Sequence, residues 1–298
     1  KDITSKGPTF TIRKFTKTPW TPIQLLLFKT LSAEMLAYLW LLLQYKMNLL
    51  LIGGTSSGKT TLLNAIAFFI PPEARIVSIE DTRELNLAKD NWLPSVVRTA
   101  TGAGTTGEID LFALLKASFR QNPDYVIVGE VRGKEAYVLF QGMASGHSSI
   151  STIHADSVDT VIKRLETPPI ELSPSLLNVL DCVCIMTHAI VNKTETRKLK
   201  EIVEIINVTP EGVAITNTPF MWNPSDDQFY FKKNSKIFEK IAKRYGLKME
   251  EINTEFIRRT KLMQRLKDRK IFQFESVQDI VTQYYKQPKE VLRRYGIE

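Results

Sequence analysis

The stretch Gly53–Thr60, with the sequence GGTSSGKT, matches the pattern of a phosphate-binding loop, G-x-x-x-x-G-K-[ST]. The apolar run 47–52 before it suits a buried strand, and residues 61–67 after it suit a helix. Glycines let backbone N–H groups turn inward around phosphate, and the helix N-terminus adds positive partial charge. The predicted nucleotide-binding residues are Gly53, Gly54, Thr55, Ser56, Ser57, Gly58, Lys59, Thr60 and Thr61.

Two side chains of this loop carry specific chemistry. Lys59 is expected to reach the β- and γ-phosphates of ATP, and the Thr60 hydroxyl is expected to bind Mg²⁺. A chance Gly/Ser-rich turn is the alternative interpretation. The strand and helix predicted on either side argue against that alternative, because strand, glycine-rich turn and helix form the context that the motif requires.

Two further apolar runs end in carboxylates. The run 75–79 is followed by Glu80, and the run 124–128 is followed by Gly-Glu, with Glu130 as its carboxylate and Arg132 two residues later. At the carboxyl end of a strand beside a phosphate-binding loop, a carboxylate can orient an attacking water or hold the Mg²⁺ shell. We therefore expect Glu80 to act on water and Glu130 to act on the metal. Structural salt bridges remain the alternative for both.

Two of the three histidines, His147 and His154, lie on either side of a predicted strand at 149–153. A neutral histidine can donate to a phosphate oxygen, and a protonated one can pair with it. Packing in the core is the competing interpretation for each of them. Because the two histidines lie at the two ends of one predicted strand, we give the phosphate-binding role and the packing role equal weight for each of them.

Short apolar runs alternate with helical patterns from about residue 23 to residue 210. This alternation predicts an α/β fold with a mainly parallel sheet covered by helices. A peripheral hairpin is expected at 213–216 and 229–231, and a core helix at 35–45 that is too short to span a bilayer. The predicted strands are 48–52, 75–79, 96–99, 125–128, 149–153, 181–186 and 201–206.

Three domains are predicted: the end of an N-terminal domain with a linker (1–22), the core (23–234) and a basic helical extension (235–298). The linker is inferred from Pro19 and Pro22, since prolines close together resist helix and sheet. Within the extension, Ser276–Asp279 resembles a capping box and Pro288 is expected to begin the last helix.

The charge of the chain is unevenly placed, because 235–298 carries 16 Lys or Arg against 9 Asp or Glu within a total net charge of +8. Such a tail suits binding to nucleic acid, an anionic membrane surface or an acidic partner, or is simply a solvated helical face.

Cys182 and Cys184 are the two cysteines, and we expect them to pack on one face of a buried strand. With so few cysteines and histidines, a disulfide or zinc site is not expected, and a reducing cytoplasmic setting fits.

The phosphate-binding loop, Glu80, the Gly-Glu pair and the two histidines occur in the order of a known family. The chain resembles the ATPases of type II and type IV secretion and of type IV filaments, which include the pilus motors and the archaellum motor. The likeness runs from Gly53 to Ala155, with further similarity in Gly7–Phe15. This resemblance implies a RecA-like core, a hexameric ring, ATP and Mg²⁺ as cofactors, and a polytopic membrane protein as partner.

The resemblance also implies roles for individual residues. Glu80 matches the catalytic glutamate of the family, and Glu130 its second conserved carboxylate, placed to act on Mg²⁺. The histidines match its histidine box, and several arginines stand near positions where the family places arginines close to nucleotide. The residues assigned to catalysis in this way are Lys59, Glu80, Glu130, His147, His154, Arg98 and Arg120, with Arg13 as a further candidate.

The branch of the family is inferred from two features. The chain has no four-cysteine module, and its segments 152–158 and 164–169 and its basic tail are similar in style to archaeal members. We therefore expect an archaellum motor at the inner face of the cell membrane, with an archaeal pilus or secretion ATPase as the alternative. Only the last strand of the family's N-terminal domain is expected here, so the chain should hydrolyse ATP slowly on its own.

A RecA-type nucleic-acid translocase is a further alternative to the motor function, and it is disfavoured because the basic residues cluster in the tail. A nucleotide-gated scaffold without turnover is another.

Overall fold

The computed structural model describes residues 7–10, 12, 18–87, 89–99 and 107–297. Its centre is a nine-stranded sheet in the order β3-β2-β4-β5-β1-β6-β7-β8-β9, within these described ranges. The pairings from β3 to β6 are parallel, and those from β6 to β9 are antiparallel. The strands are β1 (Leu49–Ile52), β2 (Ile76–Glu80), β3 (Trp92–Val96), β4 (Tyr125–Val128), β5 (Ser148–Ile153), β6 (Cys182–Val191), β7 (Thr194–Val208), β8 (Ala214–Asn223) and β9 (Gln228–Phe231).

Helices cover the sheet and make up most of the C-terminal part. Their number and positions confirm the expected α/β class with a mostly parallel sheet and a helical C-terminus. The helices are α1 (Pro22–Leu27), α2 (Ala33–Gln44), α3 (Lys59–Ala67), α4 (Leu111–Ser118), α5 (Glu135–Ala144), α6 (Val158–Glu166), α7 (Pro174–Leu177), α8 (Lys236–Tyr245), α9 (Met249–Asp268), α10 (Phe274–Lys286) and α11 (Pro288–Arg294). No helix in the described part is long and apolar enough to cross a membrane.

The central strand β5 is polar in sequence yet fully buried, with the residues SSISTI. Its hydroxyl groups are satisfied by neighbouring carbonyls: the Ser151 hydroxyl donates to the Val128 carbonyl at 2.9 Å, and the Thr152 hydroxyl donates to the Gly129 carbonyl at 2.7 Å. Buried polar groups of this kind are tolerated when each one has a partner. These two bonds tie the end of β4 to β5.

Several predicted boundaries differ from the structure. The strand expected at 96–99 lies at Trp92–Val96, and it includes Pro94, which an edge strand such as β3 tolerates. The predicted linker extends too far, because its last residue, Pro22, is the first residue of α1. A proline is tolerated there because the N–H group that it lacks would have no acceptor within the helix. Helix α10 begins at Phe274, ahead of the capping box expected at Ser276, whereas Pro288 does begin α11.

Other expectations are confirmed or extended. The hairpin of β8 and β9 is present, but β8 runs from Ala214 to Asn223 and extends the central sheet. Cys182 and Cys184 are free, buried and on one face of β6, as expected, and burial raises the pKa of the Cys182 thiol. The strand predicted near the N-terminus includes residues 11 and 13–15, which lie outside the described residues.

Helix α2 is the centre of the larger hydrophobic core. Ten of its residues are buried, from Ala33 to Leu43. Trp40 stacks on Phe69 at a centroid distance of 4.9 Å, and its indole N–H donates to the Tyr285 hydroxyl at 3.0 Å. The C-terminal helices therefore share one core with the sheet, and α2 is the core helix that the sequence predicts.

A buried carboxylate connects β7 to the start of α8. Glu204 is fully buried and accepts hydrogen bonds from the Tyr38 hydroxyl at 2.6 Å and from the Ser235 hydroxyl at 2.5 Å. It also accepts from the Asn217 amide at 2.7 Å and from the Lys236 backbone N–H at 2.8 Å. Because the N-terminus of a helix carries positive partial charge, the carboxylate stabilises α8 as well as filling the core.

Glu204→Ala is expected to lower the free energy of unfolding by several kcal/mol, because each buried donor left without an acceptor costs about 1–3 kcal/mol. The reason is that the donors on α2, β8 and α8 would lose their shared acceptor. Urea unfolding measures this change. Glu239→Ala is the control, since Glu239 forms an exposed pair with Lys236 at 2.8 Å and should cost at most about 0.5 kcal/mol. Similar small losses in both variants would contradict the prediction.

Candidate nucleotide-binding site

The predicted phosphate-binding loop lies between β1 and α3, as the sequence indicates. Gly58 caps α3 with a φ of +96°, a left-handed conformation that favours glycine, and Lys59 is the first residue of the helix. Thr60 and Thr61 follow in the first helical turn and are partly exposed. The loop therefore presents backbone N–H groups and a hydroxyl at a helix N-terminus, which is a suitable site for an anion.

Gly53 cannot be replaced by a larger residue without moving the backbone. A Cβ at this position would lie 2.3 Å from the Met186 carbonyl oxygen and 2.6 Å from the Ser57 hydroxyl oxygen. Its φ of +149° adds a conformation that L residues rarely adopt. The first glycine of the motif is therefore required by the close approach of β6.

The Lys59 side chain folds back onto the loop. Its Nζ donates to the carbonyl oxygens of Gly53 at 2.9 Å and Gly54 at 2.8 Å, and the residue is only 8% exposed. Burial lowers the pKa of Lys59, and the negative charges of Glu130 and Asp156 act in the opposite direction. The ammonium group is thus held beside the loop by weak, neutral acceptors.

Glu80 ends β2 and is almost fully buried. Its Oε1 accepts from the backbone N–H groups of Glu84 at 2.8 Å and Leu85 at 2.9 Å, whereas Oε2 is buried and has no hydrogen-bond partner among the described residues. Burial raises the pKa of Glu80 despite these two bonds. Gly129 lies beside it, where a Cβ would come within 3.0 Å of the Glu80 Cγ.

Glu130 follows β4 and lies between the Arg132 guanidinium and the His154 imidazole. Its Oε2 accepts from the Arg132 guanidinium at 2.5 Å, and its Oε1 lies 3.6 Å from the His154 Nε2. Partial burial alone would raise the pKa of Glu130, but Arg132, with smaller contributions from His154 and Lys59, lowers it overall. Arg132 also lies 3.7 Å from Asp81, so it links the ends of β2 and β4.

The parallel sheet brings four of the predicted residues to one edge. Strands β2, β4, β5 and β1 are neighbours in that order, and their carboxyl ends lead into Glu80, Glu130, His154 and the loop with Lys59. The carboxyl edge of a parallel sheet is where such folds bind ligands. The structure therefore supports one shared site for these residues.

Two other predicted residues, His147 and Arg120, do not lie at this edge. His147 precedes β5, whose six residues span about 20 Å, so it lies at the opposite edge of the sheet. There its ring meets Phe119 edge-on at 4.9 Å, and burial, with the nearby charge of Lys46, lowers the pKa of His147. Arg120 is exposed in a short 3₁₀ turn ahead of β4 on that same edge. The structure does not bring either residue to the loop of its own chain.

Arg98 is exposed beyond the end of β3. Its backbone pairs with Ile109, and its Nε donates to the Gly107 carbonyl at 2.6 Å. Arg13 lies outside the described residues. The catalytic assignment of all these arginines stays a prediction.

Two residues that the sequence analysis did not select contact the site. The Asn64 amide donates to the Thr60 carbonyl at 3.2 Å and the Glu84 carbonyl at 3.4 Å, and its Oδ1 accepts from the Asn86 N–H at 3.0 Å. Arg197 on β7 donates from Nε to the Ser56 carbonyl at 3.2 Å. No motif marks either residue, because the contacts that bring them to the site, from Asn64 to Glu84 and Asn86 and from Arg197 to Ser56, join residues distant in sequence.

The donor set at this edge is suited to a metal bound together with phosphate. No group of three or more His, Cys, Asp or Glu side chains in the described ranges is arranged to hold a metal by itself. The Thr60 hydroxyl and the ionised Glu130 carboxylate are hard oxygen ligands, which suit Mg²⁺ when phosphate oxygens complete its shell.

Comparison with known proteins decides the family. A model of the type II/IV secretion system protein family matches residues 3–224, which is most of the chain.

The chain belongs to the type II/IV secretion system protein family.

Its mostly parallel sheet with a phosphate-binding loop agrees with this membership.

Relatives of this secretion-protein family differ in how much of their length is matched. The uncharacterized protein MJ1287 of Methanocaldococcus jannaschii is 43% identical over 246 residues, which cover 82% of this chain and 91% of the relative. The type IV secretion system protein PtlH of Bordetella pertussis is 45% identical over 119 residues, covering 39% of this chain and 35% of PtlH. The VirB11 ATPase from the Brucella suis type IV secretion system is 28% identical with a TM-score of 0.49, covering 57% of this chain and 51% of that one.

Gly53→Ala is expected to destabilise this secretion-family protein by at least about 1–3 kcal/mol, the cost of overpacking a tight contact. The new methyl group would meet the Met186 carbonyl, which cannot rotate away. Thermal unfolding without nucleotide measures the effect. Gly54→Ala is the matched control, because the nearest atom to its Cβ is the Asp156 Oδ1 at 4.0 Å. Equal stability of the two variants would contradict the prediction.

Glu80→Gln is expected to be more stable than the parent protein at pH 8 and to lose this advantage toward pH 5. Burial raises the pKa of Glu80, so the folded chain retains a proton that the unfolded chain releases, and stability falls as the pH rises above the unfolded pKa. Glutamine has no such proton. Urea unfolding across this pH range tests the prediction, with Glu73→Gln at an exposed site as control. A difference independent of pH would contradict it.

Proposed function

We propose that this chain binds and hydrolyses Mg²⁺–ATP, and that it does so as the motor of a secretion or surface-filament machine. The observation that carries the proposal is the gathering of Lys59, Glu80, Glu130 and His154 at the carboxyl edge of the parallel sheet. Family membership supports it, since VirB11, the solved relative described above, is itself an ATPase.

The loop fits a nucleotide phosphate. It has a glycine where a side chain would collide, a helix N-terminus, and a lysine whose ammonium group donates to carbonyl oxygens of the loop. A bound phosphate would give the Lys59 ammonium an anionic partner in addition to these neutral ones. Thr60 and, through water, Glu130 would hold Mg²⁺, which supplies charge neutralisation at the phosphate oxygens.

Glu80 is the proposed base. A carboxylate whose pKa is raised by burial takes up a proton more readily near neutral pH than an exposed one. Among the described residues its Oε2 has no hydrogen-bond partner, so this oxygen would be the one to accept a hydrogen bond from water. The two backbone bonds to Oε1 hold the carboxylate in place while it acts.

His154 is the proposed link between the site and the rest of the chain. Its Nε2 faces Glu130 at 3.6 Å, and its backbone carbonyl accepts from the Arg164 guanidinium of α6 at 2.9 Å. A phosphate beside Glu130 would compete for the same imidazole and so change the contacts of the segment between β5 and α6. Through this competition, a bound γ-phosphate would change the conformation of the segment between β5 and α6 by a local electrostatic interaction.

A ring of several copies would account for the residues at the far edge. Arg120 is exposed and His147 half-buried there, at the edge opposite the loop of their own chain. In a head-to-tail ring that edge would face the site of a neighbouring copy. Arginines supplied in this way stabilise charge that develops during phosphoryl transfer. The proposed state is a hexamer, with Arg98, Arg120 and Arg13 as candidate contributors.

The finer proposal is that the machine is an archaellum, with a polytopic membrane protein as partner and the inner face of the cell membrane as location. The archaeal style of segments 152–158 and 164–169 supports it. The M. jannaschii relative supports an archaeal branch, but it is itself uncharacterized and does not distinguish an archaellum from a pilus. A pilus or secretion system is the alternative, supported by the similarity to PtlH.

Glu80→Gln is expected to lower ATP turnover by about 10²–10⁴-fold while leaving ATP binding intact, because it removes the base but not the phosphate contacts. Phosphate release is measured over a range of protein concentrations. In the parent protein, activity should rise more steeply than concentration if neighbouring copies complete the site.

Glu73→Gln serves as the control, since the Glu73 side chain is 85% exposed and remote from β2's carboxyl end. Turnover in Glu80→Gln equal to that of the parent would overturn the role of Glu80. Absence of ATP binding in the parent protein would overturn the proposed function.

Deleting the gene in its host and examining cells by electron microscopy tests the finer proposal. Loss of swimming filaments, restored by the parent gene but not by one encoding Lys59→Ala, would support an archaellum motor. Loss of pili, or of a secreted protein, with filaments intact would overturn it in favour of the alternatives.

A further inference from the structure

The hairpin of β6 and β7 extends beyond the sheet edge at which the phosphate-binding loop lies. Strand β1 ends at Ile52, which is paired with Ile185 of β6. From Met186 to Val191, β6 continues for about 20 Å past that point, and within the described residues its strand partner there is β7. A register shift between Ile185 and Met186 marks the place where the hairpin leaves the edge.

This extension lies directly against the loop. The Met186 carbonyl is the atom that excludes a side chain at Gly53, and the Met186 methyl group lies 3.4 Å from the position of a Cβ at Gly58. Arg197 Cγ and Cβ lie 3.7 and 3.8 Å from that same position. Both ends of the glycine-rich turn are thus packed against the hairpin.

Arg197 also holds the middle of the loop. Its Nε donates to the carbonyl oxygen of Ser56 at 3.2 Å. Ser56 has a φ of +58°, a left-handed conformation that is unfavourable for serine. A hydrogen bond to its carbonyl fixes the orientation of the following peptide group, and with it the direction of the N–H groups that would face phosphate.

The base of the hairpin is rigidly anchored, as a positioning element requires. Lys198, the next residue along β7, is on the opposite face of the hairpin from Arg197 and is buried. Its Nζ donates hydrogen bonds to the Lys29 carbonyl at 2.9 Å and to the Asp227 carboxylate at 2.5 Å. The Leu199 N–H donates to the Thr30 carbonyl at 2.7 Å. Arg197 is therefore presented to the loop from a fixed strand.

We infer that Arg197 is a positioning residue of the nucleotide site, which keeps the Ser56 peptide and the loop N–H groups in their phosphate-binding orientation and adds positive charge beside the phosphates. The inference rests on the proposed function, because it assigns Arg197 to that same site. Arg197 acts on the phosphate portion of the ligand and not on the nucleoside.

Calorimetric titration of the full chain with Mg²⁺–ATP and with Mg²⁺–tripolyphosphate tests this inference. Arg197→Ala should weaken the binding of both ligands about five- to tenfold, as expected for the loss of one hydrogen bond. Arg197→Lys should recover part of the loss. At saturating ATP, kcat should change by less than about twofold, because the interaction is made before and during reaction alike.

Lys200→Ala is the charge-matched control on the same strand, since the Lys200 ammonium pairs with Glu201 at 3.1 Å. Circular dichroism confirms that each variant is folded. Lys59→Ala separates the two proposals: if it weakens binding and Arg197→Ala does not, the inference is wrong and the proposed function stands. If Arg197→Ala weakens ATP but not tripolyphosphate, the inference is also wrong, because the contact is then with the nucleoside. If Lys59→Ala has no effect, both proposals fail.

Discussion

The contact between the Met186 carbonyl and Gly53 determines where the phosphate-binding loop can lie. A carbonyl oxygen 2.3 Å from the position of a Cβ leaves no room for adjustment, so β6 fixes the point at which β1 ends and the turn begins. Because β1 is also paired with β5 on its other side, the loop is held between two strands of defined register. The distances from the loop to the residues after β5 and β4 follow from that register.

The site also contains polar groups that the fold does not fully satisfy. Most buried polar atoms in a native structure have a hydrogen-bond partner, and exceptions call for an explanation. Glu80 Oε2 and the Ser57 hydroxyl are two such exceptions, and both lie at the nucleotide edge. By contrast, the hydroxyls of β5 at Ser151 and Thr152 are fully paired. Of the four buried side-chain atoms without a partner among the described residues, these two lie where a ligand would provide partners, which agrees with the proposed function. The other two, Arg259 Nη1 and Gln278 Oε1, lie in α9 and α10.

The local sequence pattern was enough to predict the class of fold, the loop and the carboxylates, because each of these depends on residues that are neighbours in sequence. The pattern did not predict features that depend on contacts between residues far apart in the chain. Strand β3 was misplaced because Pro94 is acceptable only at a sheet edge, which the sequence does not reveal. Arg197 was missed because its partner Ser56 lies 141 residues away. His147 was grouped with His154 although a strand that separates two residues necessarily carries them to opposite edges of the sheet.

The buried Glu204 has a consequence for how the chain can be divided. It belongs to the sheet, yet two of its partners, Ser235 and Lys236, begin the helical extension. A shortened chain ending at residue 234 would keep the carboxylate and lose those donors, and it would expose the face of α2 that Trp40 presents to Tyr285. Residues 235–298 are therefore expected to be required for solubility of the sheet domain.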